Sequence, residues 1–211
     1  MQKYLDLRND IDYRKLKEPA DIIKNGGIVI FPTETVYGVG VNGLDDEALR
    51  KLYKIKQRSL DKPICLLVAN MDMVKNITKD ITDVEYKLME AFFPGPFTIV
   101  LKKKNIVPNI LTANMDTVGI RMPDAKIARQ LIEYANVPIA TSSANISGNE
   151  SGTNLEDILK DFEGKVDCFI DGGESKLGVA STIVKVIEES VNVLREGPVT
   201  KEQIEKVLKH K

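Results

Sequence analysis

Residues 26–40 read GGIVIFPTETVYGVG: two glycines, an apolar run (Ile28, Val29, Ile30, Phe31), Pro32, the polar trio Thr33-Glu34-Thr35, then Val36-Tyr37 and a Gly38-Val39-Gly40 exit. The glycines close a helix and the apolar run makes a buried strand. A proline at that strand's end removes the next ladder donor and turns the chain out of the sheet. Two threonine hydroxyls and a carboxylate then stand at a strand's carboxyl end, where open α/β sheets bind ligands. An ordinary strand-to-turn passage uses the same residue types, so the rest of the chain must decide.

Before this stretch, residues 4–7 read as a strand, and a helix follows to about Asn25, with Pro19 interrupting or restarting it. After it, Asp45-Asp46 suit a helix start, and Ala48, Leu49, Leu52, Tyr53 and Ile55 repeat at helical spacing. That helix runs into Lys54-Ile55-Lys56-Gln57-Arg58, a loop over 59–63 and an apolar strand over 64–68. Thr82 and Glu85 form a capping-box pattern for a helix that halts at Pro94-Gly95-Pro96, before a strand over 97–102. Residues 104–116 read as surface loop and 118–122 as a short strand, and Pro123-Asp124 open a helix holding Ile127, Leu131 and Ile132. A strand over 137–140 leads into the polar tract TSSANISG (141–148), and Thr153 with Glu156 makes a second capping-box pattern. Strands are predicted over 166–170, 182–187 and 191–194, and a last amphipathic helix starts at Thr200. Strands alternate with helices and then cluster, which predicts one α/β domain, 1–211, on a mixed sheet.

A chain of 211 residues buries roughly 70% of its unfolded surface, ample for an unaided core. With 43% hydrophobic and 29% charged residues and a net charge of −1, it carries no global field for nucleic acid or membrane. No leader and no apolar run of spanning length occurs, which predicts a cytoplasmic protein with no membrane partner. Cys65 and Cys168 lie in apolar runs and read as buried, reduced thiols. The single histidine is His210, beside the C-terminus, where disorder is the default. Histidine bases, Ser-His-Asp catalysis and His-rich zinc sites are therefore disfavoured, and no metal ligand set is predicted.

Neither G-x-G-x-x-G after a strand nor a P-loop occurs, so a bound nucleotide must be held by side chains. Lys56 and Arg58 at a helix C-terminus, with Lys62 beyond, are candidates, although the helix dipole alone favours bases there. Ser142, Ser143, Asn145 and Ser147 after a strand could hold a ligand or only their own turns. Arg121, inside the apolar run VGIRM, needs an anionic partner, from the protein or from a ligand. Ser181 and Arg195 repeat the pattern of polar groups at strand ends.

PTETVYG (32–38), K-x-R (56–58), FPGPFTIVLK (93–102), VGIRMP (118–123), SSANISG (142–148) and STIV with LREG (181–184, 194–197) occur in the order seen in the YrdC/TsaC family. The chain resembles that family from its first helix to about Gly197, in its short single-domain form. The resemblance implies a single-domain twisted mixed sheet flanked by helices around a concave cavity, similar to the RibB/DHBP synthase fold. It implies a threonylcarbamoyl-AMP synthase, a nucleotidyltransferase making the adenylate and pyrophosphate from L-threonine, bicarbonate and ATP with substrate-bound Mg²⁺. A separate transferase complex would consume the product to build t6A on tRNA, and some relatives bind double-stranded RNA. The family's signature tetrad falls on Lys56, Arg58, Ser143 and Asn145, with Lys56 and Arg58 as the catalytic pair. The resemblance assigns Thr35, Arg121, Thr141 and Ser181 to threonine, and Arg58, Lys62, Thr117, Ser143, Asn145, Ser151 and Arg195 to ATP. Two departures stand out: the usual K-G-R-P is Lys56-Gln57-Arg58-Ser59 here, and a frequent histidine is Leu67. The competing expectations are a double-stranded-RNA-binding module and a YciO-like paralogue without this activity. Intact PTETVYG and Ser143-x-Asn145 argue against the latter.

Overall fold

The computed structural model describes residues 2–9, 12–149 and 151–209; His210 lies outside them. The described strands form one ten-stranded mixed sheet. In spatial order these are β1 (Lys3–Asp6), β8 (Cys168–Asp171), β2 (Val29–Phe31), β3 (Gly38–Asn42), β7 (Ile139–Ser143), β4 (Cys65–Leu67), β6 (Thr117–Arg121), β5 (Phe97–Lys102), β9 (Thr182–Ile187) and β10 (Ser190–Arg195). Parallel and antiparallel pairings mix: β2 runs parallel to β8 and antiparallel to β3, and β4 antiparallel to β7 and parallel to β6.

Alternating side chains sort onto two faces. One face carries Ile30, Val39, Leu66, Ile99, Ile120 and Ala140 and is covered by α2 (Asp46–Ile55), α3 (Met71–Ile77), α4 (Asp83–Phe92), α6 (Leu155–Phe162) and α7 (Lys201–Lys209). The other carries Val29, Phe31, Leu67, Ile139, Cys168 and Ile170 under α1 (Lys17–Lys24), the 3₁₀ turn Tyr13–Leu16 and α5 (Lys126–Ala135). That second cover lies over β8, β2 and the near parts of β7 and β4 and gives out beyond them.

Local signals account for most boundaries. Pro19 sits in the first turn of α1, where its missing N–H is not needed, so the helix begins there rather than breaking. Asp45 caps α2, and Thr82 and Glu85 close the expected capping box of α4. Asn154 Oδ1, not Thr153, caps α6, accepting from the Asp157 N–H at 3.0 Å. The helix predicted from Pro123 starts at Lys126. α3 arises where the sequence shows no strong signal, with Asn70 as its cap.

Two differences shape the site. The Gly38-Val39-Gly40 exit is not a loop but β3, inserted between β2 and β7. A Cβ at Gly40 would lie 2.7 Å from Ile139 Cγ2 and 2.8 Å from Phe31 Cε1, so glycine is what lets these strands close. β7 continues through Thr141 and Ser142 to Ser143, so those hydroxyls belong to a strand rather than to the lip after it.

Candidate functional site

Beyond the cover of α1 and α5, the second face of the sheet is open, and its residues change from aliphatic to small and polar. Gly38 pairs with Ser143, Thr141 with both Gly40 and Cys65, Leu67 with Arg121, and Ile183 with both Thr98 and Arg195. These strands floor a cavity of about 220 Å³, walled by Thr33, Val36, Tyr37, Arg58, Pro63 and Ala180 from the loops. The TETVY loop rises from the end of β2, as its proline dictates. Thr33 Oγ1 donates to the Val36 carbonyl (2.6 Å) and meets Thr35 Oγ1 at 2.9 Å. Residues 177–178 strap across it, donating backbone N–H groups to the Glu34 and Thr35 carbonyls at 3.0 and 2.8 Å. This strap delivers Ala180 and Ser181 to the wall.

Three guanidinium groups reach the cavity. Arg58 turns back after α2, donating from Nε to the Lys62 carbonyl (3.0 Å) and from Nη2 to the Pro63 carbonyl (2.9 Å). Arg195 donates to the Ser181 carbonyl from Nε (3.0 Å) and Nη2 (2.8 Å), and from Nη2 to Ser181 Oγ (3.2 Å). Arg121, 7% exposed, finds its expected anion within the protein: Nη2 lies 2.7 Å from Glu34 Oε1, and Nε donates to the Gly95 carbonyl at 3.3 Å. The pair is close but poorly aligned, leaving both Glu34 oxygens and Arg121 Nη2 buried without a directional hydrogen bond. Burial lowers the Arg195 pKa, Cys65 partly offsets this, and the charges of Arg121 and Arg58 lower it further. The Cys65 thiol is pushed up by burial against the opposing pull of the same three arginines. It is half-buried, packs at the edge of the second core and lines the cavity, donating to the Thr141 carbonyl at 3.3 Å. Cys168 is buried as expected, and both cysteines are free thiols.

Lys56 lies elsewhere. It is 1% exposed at the C-terminus of α2, and its ammonium donates to the Ser143 carbonyl, the Asn145 carbonyl (2.7 Å) and Asn145 Oδ1 (3.5 Å). Its three donors are thus committed to the lip, and the side chain is absent from the cavity wall. Burial first, then the Arg58 charge, bring its pKa down to about 7, with Asp161 opposing. Asn145 continues the clamp: Oδ1 accepts from Ser143 Oγ (2.5 Å), and Nδ2 donates to the Ile146 and Asn149 carbonyls (3.1 and 2.6 Å).

Of the residues expected at the site, Arg58, Arg121, Thr141, Ser143, Ser181 and Arg195 line one cavity. Thr35, 1% exposed, stands behind Thr33, and Asn145 stands behind Ser143. Lys62 is exposed outside the wall and Ser151 is apart from it; Thr117 borders a separate hollow with Asp80, Lys102 and Lys185. Thr33 and Ser142, polar candidates of the two loop-side tracts, join the wall, and so do Cys65 and Thr98, which the sequence did not mark as site residues. Thr98 carried a readable signal, a hydroxyl inside the apolar run FTIVL, of the kind that marked Arg121. Among the described residues no group of three or more His, Cys, Asp or Glu side chains gathers as a metal site. Nor is any described helix long and apolar enough to cross a membrane.

Residues 21–197 match the model of the Sua5/YciO/YrdC family, described as telomere recombination. A threonylcarbamoyl-AMP synthase of Pyrococcus abyssi (strain GE5 / Orsay) is 41% identical over 204 residues, which cover 97% of this chain and 60% of that protein. The crystal structure of P. abyssi Sua5 complexed with L-threonine matches with a TM-score of 0.94, covering 98% of this chain and 61% of that one. E. coli YciO matches with a TM-score of 0.83 at 25% identity, covering 94% of this chain and 97% of that one. The chain therefore spans less than two thirds of the length of its P. abyssi relative.

Proposed function

The chain belongs to the Sua5/YciO/YrdC family, and from that premise and the geometry of the cavity we propose that it is a threonylcarbamoyl-AMP synthase. One observation carries the reading: Arg58, Arg121 and Arg195 converge with six serine and threonine residues on one hollow, and among the described residues only Arg121 of the three has a carboxylate partner. Such a hollow has two ends. At the Arg121–Glu34 end the charge is balanced, which suits an amino acid; at the Arg58 and Arg195 end it is positive, which suits a triphosphate.

Arg121, Thr141 and Ser181 hold L-threonine, with Thr35 supporting from behind. Ser143, Arg58 and Arg195 hold the phosphates. Lys62, Thr117 and Ser151 are assigned to the part of the nucleotide that extends past the wall. Lys56 and Asn145 are positioning residues that fix the 143–145 lip, in place of the catalytic role expected for Lys56 and the ATP contact expected for Asn145. Magnesium would enter with ATP as part of the substrate, held by phosphate oxygens and water.

The neutral threonine amine attacks carbon dioxide derived from bicarbonate, and the proton lost from nitrogen passes to water or a second bicarbonate, giving a carbamate. A carbamate oxygen attacks the α-phosphorus, the bond to the bridging oxygen breaks, and pyrophosphate leaves. No protein base is required; the chain contributes positioning, with Arg58 and Arg195 stabilising charge on the departing pyrophosphate. The adenylate product is a mixed anhydride that a separate transferase consumes to build t6A on tRNA.

The test is mass spectrometry of the product formed from ATP, L-threonine and bicarbonate, with pyrophosphate release followed in parallel. Threonylcarbamoyl-AMP with stoichiometric pyrophosphate is expected. Absence of both, with salt-sensitive binding of double-stranded RNA retained, would instead make the protein a binding module.

A further inference from the structure

Thr98 on β5 and Ser181 just before β9 carry buried hydroxyls at the cavity, 2% and 4% exposed, with Thr98 Oγ1 and Ser181 Oγ 2.8 Å apart. Two hydroxyls carry two protons, and only one lies in the bond between them. Among the described residues neither oxygen has another protein acceptor; the remaining recorded partner is Arg195, whose Nη2 meets Ser181 Oγ at 3.2 Å. A guanidinium has donors only, so on that side Ser181 must accept. Either oxygen could donate across this contact, and positive charge drawing on the Ser181 oxygen makes its own O–H the stronger donor, which favours the direction from Ser181 to Thr98 Oγ1. The Thr98 proton is left over, on a side chain that lines the cavity. A buried donor without an acceptor is costly, so this hydroxyl calls for an acceptor oxygen inside the cavity, which a ligand can supply in place of water.

The position of Thr98 indicates which oxygen. β5 lies between β6, whose last residue is Arg121, and β9, which Ser181 precedes. On the floor beside it, a Cβ at Gly119 would lie 3.3 Å from Thr98 Cγ2 and 3.4 Å from Cys65 Cβ, so this wall of the cavity is closely built. We infer that Thr98 is a substrate-contacting residue, donating its hydroxyl proton to a carboxylate oxygen of the amino-acid substrate while Ser181 and Arg195 hold it in that orientation. This rests on the amino-acid assignment proposed above for the Arg121 end.

The experiment is calorimetric titration of L-threonine into the wild-type chain, Thr98→Val and Thr98→Ser, with KM for L-threonine and for ATP measured where product forms. Thr98→Val is nearly isosteric and removes only the hydroxyl; Thr98→Ala serves if it does not fold. Loss of a hydrogen bond to a charged group predicts roughly ten- to hundredfold weaker L-threonine binding in Thr98→Val, or in Thr98→Ala, with KM for ATP unchanged. Thr98→Ser, which keeps the donor, is expected within about threefold of wild type, a small fraction of that loss. Unchanged threonine affinity in the variant lacking the hydroxyl overturns the inference, as does a shift in ATP affinity alone. Equal damage in Thr98→Ser overturns it too, because the loss would then come from packing. A wild-type chain that binds L-threonine but forms no product refutes the synthase reading while the titrations still decide the role of Thr98. A wild-type chain that binds no L-threonine overturns the inference itself.

Discussion

Lys56 shows how burial makes one side chain answer to pH. Its pKa falls to about 7 from the 10.5 of an ordinary lysine, so between those values the unfolded chain holds a proton that the folded chain releases. Stability must therefore rise with pH from about 7 towards 10.5, by at most about 1.4 kcal/mol per pH unit, and the cost of the buried charge is fully present below 7. Urea unfolding at pH 7, 8 and 9 checks this, with Lys56→Met expected to flatten the slope. Next to it, Gln57 has φ 51°, the left-handed region, where the related K-G-R pattern would place glycine. Relief of that strain, less the entropy of glycine, predicts that Gln57→Gly gains about 0.5–1 kcal/mol with activity intact; a loss of stability in the same unfolding assay would refute it. Arg58→Ala is expected to lower kcat/KM by some ten- to hundredfold, the worth of one charged hydrogen bond, with an unchanged circular dichroism spectrum. Arg121 was legible because a charge in an apolar strand demands an anion. That the anion is Glu34 was not, because the two lie on segments whose meeting depends on the whole sheet.

At the scale of elements, short-range chemistry was readable and long-range packing was not. Capping residues announced α4 and α7, whose Thr200 and Gln203 exchange hydrogen bonds of 2.8 and 3.3 Å. Thr82→Ala is expected to cost about 1 kcal/mol, measured by thermal or urea unfolding. β3 escaped because glycine is a poor strand former by composition, and the reason for it, Phe31 and Ile139 on either side, comes from strands about 10 and 100 residues away. Gly40→Ala is accordingly expected to destabilise by about 1–3 kcal/mol, as an overpacked core site does. β7 was read too short for a related reason: Thr141, Ser142 and Ser143 look like loop residues, yet they are strand residues facing a cavity instead of a helix.

For the molecule as a whole, alternating strands and helices predicted the mixed sheet, while the spatial order of its strands, which decides where the cavity opens, has no local signature. The cavity exists because α1 and α5 cover only part of their face. The imbalance of charge along it has a measurable consequence: ATP binding should weaken steeply as ionic strength rises, and L-threonine binding, at the compensated Arg121–Glu34 end, much less. Parallel salt responses in equilibrium titrations would argue against two electrostatically distinct ends. The strap formed by residues 177–178 has a further effect. Because its amides hang on the carbonyls of Glu34 and Thr35, the segment that brings Ser181 to the hollow is pinned to the very residue whose carboxylate lies beside Arg121. Rim and floor are thus laced together through a single turn of backbone.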